Sequence, residues 1–402
     1  MFAPQNESQV LELIQWAAAE RKAITLTGTG TKSGFGTEVD SDCPVSLAAL
    51  SGILEYEPEE LVMRALPGTP LEEVQHELSA RRQHLAFEPA GLGGVCGAPG
   101  TASAGTIGGA FLANASGPRR FRAGAARDHI LGVRAVSGRG EIWKSGGRVI
   151  KNVTGYDLSK LIAGSWGTLS VVTELTFKVL PAPPASATIA VTGLDPAAGL
   201  DLIRELAANP FDATGLAYLP QAALAGLPAG LRTSREDLGI AFIRVEGSPL
   251  SVEDRARAFL GVAAMAGAAG RLKGDESTAL WDAVREARPL FDAEVIAKVS
   301  LPPAWALEVV SQLSARCLWF ADAGAAWLWL GLPAAKAVGV IAGLRTRFAG
   351  RGSCVVWRAP AEVKRDAGVW SPASGAMHAL LTRIKQSFDP GNILNPGRLG
   401  RA

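Results

Sequence analysis

Apolar and polar positions change period several times along this chain. The opening MFAPQNESQVLELIQWAAAERK carries its apolar residues at helical spacing and predicts an amphipathic helix over 8–21. The run Ala23-Ile24-Thr25-Leu26-Thr27 predicts a strand, and a glycine loop over 28–36 follows it. Val45-Ser46-Leu47 and Leu61-Val62-Met63-Arg64-Ala65 read as further strands. Pro70 opens a helix over 70–81, with Glu72 and Glu73 in the first turn, where the helix dipole favours acids. Over 88–124 small residues dominate, and a run with so little bulk wraps something instead of forming a core. Strands resume at Ile130–Ser137 and 141–144, around the turn Ser137-Gly138-Arg139-Gly140, and a last one spans 169–180.

Pro181-Ala182-Pro183-Pro184 is the strongest linker signal in the chain. Beyond it, strands are expected at 187–192, 214–219, 238–246, 293–300, 317–321, 326–331 and 353–358. Helices are expected at 196–208, 250–265, 276–288, 303–314 and 333–348, and Asp322-Ala323-Gly324 supplies a hairpin turn. Two units of the split β-α-β-β-α type follow from that order, hence one antiparallel sheet covered by helices and an α+β fold class. The expected domains are 1–182, 183–373 and a C-terminal helix and tail, 374–402, that returns to the first.

Composition sharpens the picture at three points. Glycine contributes 46 of 402 residues, roughly 11% against about 7% in ordinary chains, and much of it lies before residue 170. The 40 Lys+Arg against 38 Asp+Glu lack the basic excess of a nucleic-acid binder. Cys43, Cys96, Cys317 and Cys354 are too scattered for a CxxC-type metal or iron–sulfur motif and unlike a secreted disulfide framework, so a reducing compartment is expected. No basic n-region precedes the first helix, and no run reaches the roughly 18–20 apolar residues of a membrane span. Membrane contact is then expected to be peripheral or through a partner.

The loop Thr27-Gly28-Thr29-Gly30-Thr31-Lys32-Ser33-Gly34 fails two nucleotide fingerprints. A dinucleotide G-x-G-x-x-G needs its third glycine one place earlier, and a P-loop needs Gly where Thr31 stands. An anion-binding nest of backbone N–H groups, with Thr hydroxyls and Lys32 adding donors, remains, beside the alternative of a plain glycine hairpin. Further glycine turns follow: Gly105-Thr106-Ile107-Gly108-Gly109, Asn114-Ala115-Ser116-Gly117-Pro118-Arg119, Gly124-Ala125-Ala126-Arg127-Asp128 and Gly164-Ser165-Trp166-Gly167-Thr168-Leu169. Several such turns in one domain suit a long diphosphate-bearing ligand, and FAD meets that need because its rings and pyrophosphate require close backbone approach.

With Val149-Ile150-Lys151-Asn152-Val153-Thr154-Gly155-Tyr156-Asp157-Leu158 among them, the order of these motifs resembles the vanillyl-alcohol-oxidase and p-cresol-methylhydroxylase (PCMH) superfamily. Leu-Ser-Lys-Leu-Ile-Ala-Gly-Ser-Trp-Gly-Thr-Leu at 158–169 and the tail Ser387-Phe388-Asp389-Pro390-Gly391-Asn392-Ile393-Leu394-Asn395-Pro396-Gly397-Arg398 are similar to the FAD-binding E subunits of bacterial glycolate oxidases. The resemblance is dense over 20–180 and 384–399. It implies a two-lobed PCMH-type FAD-binding domain followed by a cap, and it assigns cofactor roles. Gly28, Thr29, Gly30, Thr31 and Lys32 match the pyrophosphate loop; Thr106, Gly108, Gly109, Ser116 and Gly117 match the stretch along the flavin and ribityl chain. Gly164, Gly167, Thr168, Leu169 and Val172 match a strand start that meets the cofactor, and Asn395 matches an Asn-Pro-Gly element that folds back toward the flavin.

Some superfamily members tether FAD through a His in the first loop; none stands here, which implies non-covalent binding. Relatives that oxidise D-2-hydroxyacids directly carry a His-rich metal site in the cap, whereas residues 183–373 contain no His, so no metal is expected. The resemblance implies a cytoplasmic FAD subunit of a complex with a sister FAD subunit and an iron–sulfur subunit, oxidising glycolate to glyoxylate and passing electrons on. The alternatives are a stand-alone flavoenzyme acting on a sugar lactone or another hydroxyacid, and a non-catalytic flavin-bearing scaffold.

Oxidation of a 2-hydroxyacid requires a base for the hydroxyl proton, a cation for the carboxylate and a hydride acceptor. His76, His84, His129 and His378 read as structural or solvated, which leaves the catalytic group unassigned. Lys298 and Arg358, on predicted cap strands, are the candidate cations, with solvated strand-end charges as the alternative. Trp327 and Trp329 alternate on one strand face with Trp319 and Trp357 on neighbouring strands, a pattern that reads as sheet core, or else as a protein–protein surface.

Overall fold

Asn6 starts the first helix, α1 (Glu7–Glu20), by accepting a hydrogen bond from the amide of Gln9 at 3.0 Å. The buried stripe Val10, Ile14 and Ala17 joins one core with Ile24 of β1 (Ile24–Thr27) and Cys43 and Val45 of β2 (Cys43–Ser46). These two strands are parallel, and single parallel bridges extend them on either side, Phe2 to Val45 and Leu394 to Ile24. The computed structural model describes residues 1–400 except 40, 97–104, 148–155, 226, 228–237 and 315. The Val149 to Gly155 part of the sequence motif lies outside the described residues.

Five antiparallel strands form the next sheet: β3 (Ile53–Glu57), β4 (Val62–Ala65), β5 (Ile130–Ser137), β6 (Ile142–Gly146) and β7 (Ser170–Lys178), in the order β3-β4-β7-β5-β6. The expected turn joins β5 to β6, with Gly140 at φ 71° and its amide bonded to the Ser137 carbonyl at 3.0 Å. Met63, Val172, Leu175 and Phe177 pack with residues of α2 (Leu71–Ala80) and α3 (Ile107–Leu112). Strand β3 was not expected from the sequence. It lies at the sheet edge with no buried residue, so no apolar alternation marks it.

The C-terminal helix Gly375–Phe388 starts at Ser374, whose hydroxyl accepts from the amide of Met377 at 3.3 Å. Just past its end, the buried Asp389 carboxylate accepts the amides of Ile393 at 3.0 Å and Leu394 at 2.8 Å. Lys385 reaches that carboxylate at 2.6 Å and the Thr168 carbonyl at 2.7 Å, so the tail is a built element held to the strands.

The chain divides into two units: Met1–Ser116, Gly124–Ala182 and Pro372–Ala402 form one, and Gly117–Ala123 with Pro183–Ser371 form the other. In the second, β8 (Ala185–Leu194), β9 (Gly215–Leu219), β10 (Gly239–Gly247) and β11 (Ala268–Arg271) make one half of a single antiparallel sheet. The other half is β12 (Val295–Ser300), β13 (Leu318–Asp322), β14 (Trp327–Leu332) and β15 (Ser353–Arg358). The order β11-β8-β10-β9-β13-β14-β12-β15 is two β-α-β-β-α-β halves joined where β9 meets β13. Helices α4 (Pro196–Ala207), α5 (Pro249–Ala263), α7 (Ala306–Ser311) and α8 (Ala334–Arg347) share the core of one sheet face, while α6 (Gly274–Arg285) stays outside that core. The helix expected at 303–314 is shorter, a 3-10 turn Pro303–Trp305 leading into α7. Strand β11 is also new: Ala268-Ala269-Gly270-Arg271 is poor in strand-forming residues and gains its conformation from pairing with β8.

Candidate functional site

Strand β1 ends at Thr27, and the chain then turns through Gly28, Thr29, Gly30, Thr31 and Lys32, all lining one groove in the first unit. Thr106, Gly108 and Gly109 reach the same groove, as do Gly167 from the turn before β7, Val172 from β7 and Asn395 from the tail. Leu26, Ser33, Pro67, Trp166, Ser170 and Arg398 also line it.

Two glycines here are approached so closely that neither has room for a side chain. A Cβ on Gly28 would lie 2.9 Å from Thr106 Oγ1, and one on Gly108 would lie 2.6 Å from the Pro67 carbonyl oxygen. Thr106 is held in place because its Oγ1 caps α3, accepting the Gly109 amide at 3.1 Å. Gly30 has a different constraint, a φ of 80° facing open space. The amides of Gly28, Thr29, Gly30 and Thr31 donate no backbone hydrogen bond among the described residues. These four donors stand in a row of small residues, as an anion nest requires.

Two cations flank this loop with different roles. Lys32 donates to the Gly91 carbonyl at 2.8 Å, so its ammonium ties the loop to another segment. Arg398 is buried, with Nη1 donating to the carbonyls of Phe35 at 3.3 Å and Lys32 at 3.5 Å, and its Nε has no partner among the described residues. Burial lowers its pKa below the usual arginine value, partly opposed by Cys96, yet a guanidinium stays charged. Phe35 stacks on Trp166 with ring centroids 3.8 Å apart and planes 9° off parallel.

The other residues picked out for the cofactor stand off the groove. Ser116 Oγ accepts from the Ala126 amide at 2.9 Å, and Gly117, in the second unit, accepts the Arg120 amide at 3.0 Å. Gly164 has φ 86° in a turn, Thr168 Oγ1 donates to the Ser165 carbonyl at 2.7 Å, and Leu169 lies in the core beneath β7. Arg398 and Trp166 were not selected from the sequence. The signal was present in the motifs that contain them, the Gly-Ser-Trp-Gly turn and the Asn-Pro-Gly-Arg end of the tail.

In the second unit, Lys298 on β12 sits over the Trp327 ring, Nζ to centroid 3.1 Å, with the Trp329 centroid at 4.9 Å. Burial lowers its pKa to about 7, with Asp322 opposing that shift and Arg120 adding to it. Arg358 does something else: its Nη2 donates to the carbonyls of Leu290, Phe291 and Ala293 and braces the turn before β12. Trp329 and Trp357 are neighbours at 5.8 Å, whereas Trp319 faces the helix-covered core beside Tyr218 at 5.7 Å. On the same unit, Arg119 grips the Glu246 carboxylate through two nitrogens, at 2.7 and 3.0 Å. Among the described residues, no three His, Cys, Asp or Glu side chains gather as a metal site, and no helix is long and apolar enough to cross a membrane.

Residues 1–146 match the family described as FAD binding domain. The chain is 30% identical over 403 residues to glycolate oxidase subunit GlcE of Escherichia coli (strain K12), covering 97% of this chain and 96% of the relative. It is 28% identical over 190 residues to glycolate oxidase subunit GlcD of Bacillus subtilis (strain 168), covering 47% of this chain and 38% of that one. Among solved structures, p-cresol methylhydroxylase with substrate bound superposes with TM-score 0.74 at 16% identity, over 99% of this chain and 88% of that one. The fold is the PCMH-type FAD-binding fold, α+β in class, and the cofactor is FAD. The groove fits that cofactor: unbonded amides and a buried guanidinium suit a pyrophosphate.

Proposed function

Because this chain belongs to the glycolate oxidase E-subunit family, we propose that it is the FAD-bearing subunit of a complex that oxidises glycolate. The single observation that carries the reading is the row of amides from Gly28 to Thr31 without backbone hydrogen bonds among the described residues, with Thr106, Asn395 and Arg398 lining the same groove. The Gly28 to Thr31 amides and Arg398 would hold the pyrophosphate, and Thr106, Gly108 and Gly167 would line the space for the remainder. FAD, when bound, supplies a hydride acceptor for the carbon that carries the hydroxyl. The loop 28–36 offers no His to tether it, in keeping with non-covalent binding.

Partner subunits complete the reading. The four cysteines are buried free thiols, Cys43 and Cys96 in one unit and Cys317 and Cys354 in the other. A cluster held by four thiolates would therefore belong to a neighbouring chain, to which electrons leave. The cytoplasmic face, with membrane contact only through such a partner, is the matching location.

Glycolate-dependent dye reduction by a complex rebuilt with a Gly30→Val chain tests the proposal. Joint loss of this chain's flavin and of activity is expected. Full activity without this chain's flavin would overturn it and leave the chain a scaffold.

A further inference from the structure

One face of the second unit's sheet is closed by α4, α5, α7 and α8, and the opposite face gathers a cation, an acid and several aromatic rings. Pairing places them there. Lys298 lies directly across from Trp329, Asp322 across from Trp327 and Phe320 across from Trp329, on neighbouring antiparallel strands, so all five share one face. The rings support one another, Phe320 with Trp329 at 6.2 Å and 15°, and Trp329 with Trp357 at 5.8 Å. Arg120, from the segment Gly117–Ala123 of the same unit, sets its guanidinium carbon 4.8 Å from the Trp327 ring centre. Two cations thus share one indole.

A lysine with a purely structural role is normally paired when it leaves water. Lys298 makes no hydrogen bond and no ion pair among the described residues, although it is largely shielded and its ammonium rests on two indoles. The Asp322 carboxylate accepts the amide of Ala323 at 2.6 Å and does not reach the ammonium as an ion pair. Indole faces stabilise an ammonium but offer no oxygen to receive its protons. A small anion with two acceptor oxygens would complete the site, and a carboxylate has that form.

We propose that this cluster binds the carboxylate of a small 2-hydroxyacid, with Lys298 as the donor, Arg120 as the second cation, and Trp327 and Trp329 as flanks that exclude water. The assignment rests on the reading that the chain acts on 2-hydroxyacids, and it adds the residue that selects for the acid group. Lys298 is then a binding residue and supplies no redox chemistry.

Calorimetric titration of the full chain with oxalate, a dicarboxylate that has no hydroxyl carbon to oxidise, tests it. Lys298→Met keeps the length of the stem over Trp327 and removes the charge. Its oxalate affinity should fall about 10- to 100-fold, the weight of a charge-assisted hydrogen bond, while Lys298→Arg restores most of it and both keep the FAD content of the parent. Equal oxalate binding by the parent and Lys298→Met, or no binding by the parent, would overturn the site and leave the FAD reading standing. Lys298-dependent oxalate binding by a chain whose flavin plays no part in glycolate oxidation would uphold the site and overturn that reading.

Discussion

Asn395 Oδ1 accepts a hydrogen bond from the amide of Leu26 at 2.8 Å and so joins residues 369 positions apart in the chain. Its Nδ2 donates to the Trp166 carbonyl at 2.8 Å, and its own amide donates to the Ile24 carbonyl at 2.9 Å. One buried side chain therefore holds together β1 and the turn at Trp166 and Gly167, both of which line the groove. Asn395→Ala removes both side-chain bonds and should cost about 2–4 kcal/mol of stability. FAD affinity should fall with it, read by urea midpoint and by flavin titration. Asn395→Asp keeps the acceptor for Leu26 but turns an oxygen toward the Trp166 carbonyl, so it should rescue little.

Two glycines separate packing from cofactor space. Gly108→Ala places a methyl 2.6 Å from the Pro67 carbonyl oxygen and should cost about 1–3 kcal/mol in overpacking, seen first as a lower melting temperature. Gly30→Ala meets nothing within 4 Å, so its cost is the left-handed backbone at φ 80°, about 1–2 kcal/mol. Gly30 lines the groove, so FAD affinity should drop by more than the stability loss explains.

The Arg119–Glu246 pair contributes to acid stability in the second unit. Burial raises the Glu246 pKa, but hydrogen bonds and charge from Arg119 and Arg244 outweigh it and leave the carboxyl below its usual value of 4.5. A depressed acid contributes fully above its unfolded pKa and loses that contribution as pH falls through the folded one. Glu246→Gln should cost about 3 kcal/mol at neutral pH, the low end for a broken buried pair because Arg119 keeps contact with water. The stability gap between parent and variant should close as pH is lowered below 4.5, measured by denaturant midpoints.

Lys298 has the opposite sign. Its folded pKa is about 7 against an ordinary 10.5, so below 7 both folded and unfolded chains carry the charge and burial penalises the fold in full. Between 7 and 10.5 the unfolded chain holds the extra proton, and stability contributed at this residue rises with pH. Asp322 and Arg120 are the charged groups that face it. Lys298→Met should therefore be more stable than the parent at pH 6, with the advantage shrinking toward pH 10 in paired unfolding curves.

The sequence made some parts of this molecule legible and hid others for physical reasons. Strand β5 was readable from Ile130 to Ser137 because nearly every residue is buried and β-branched or apolar. Strands β3 and β11 were hidden because edge strands owe their conformation to a neighbour and bury little. The glycine loop was readable because Gly28 and Gly30 answer local demands, a close approach and a positive φ. Arg398 and the direction of Lys32 were hidden because both depend on which distant carbonyls, those of Phe35 and Gly91, the fold brings near. Lys298 stood out as a cation on a strand, but its two indoles became neighbours only through the register of β12 against β14.

Titration of the flavin-stripped chain with FAD, followed by quenching of flavin fluorescence, tests the central claim most directly. One FAD per chain, released intact on denaturation and bound far more weakly by Gly30→Val and Asn395→Ala, is the predicted result. Failure of the parent to bind FAD, or equal binding by the parent and both groove variants, would contradict it.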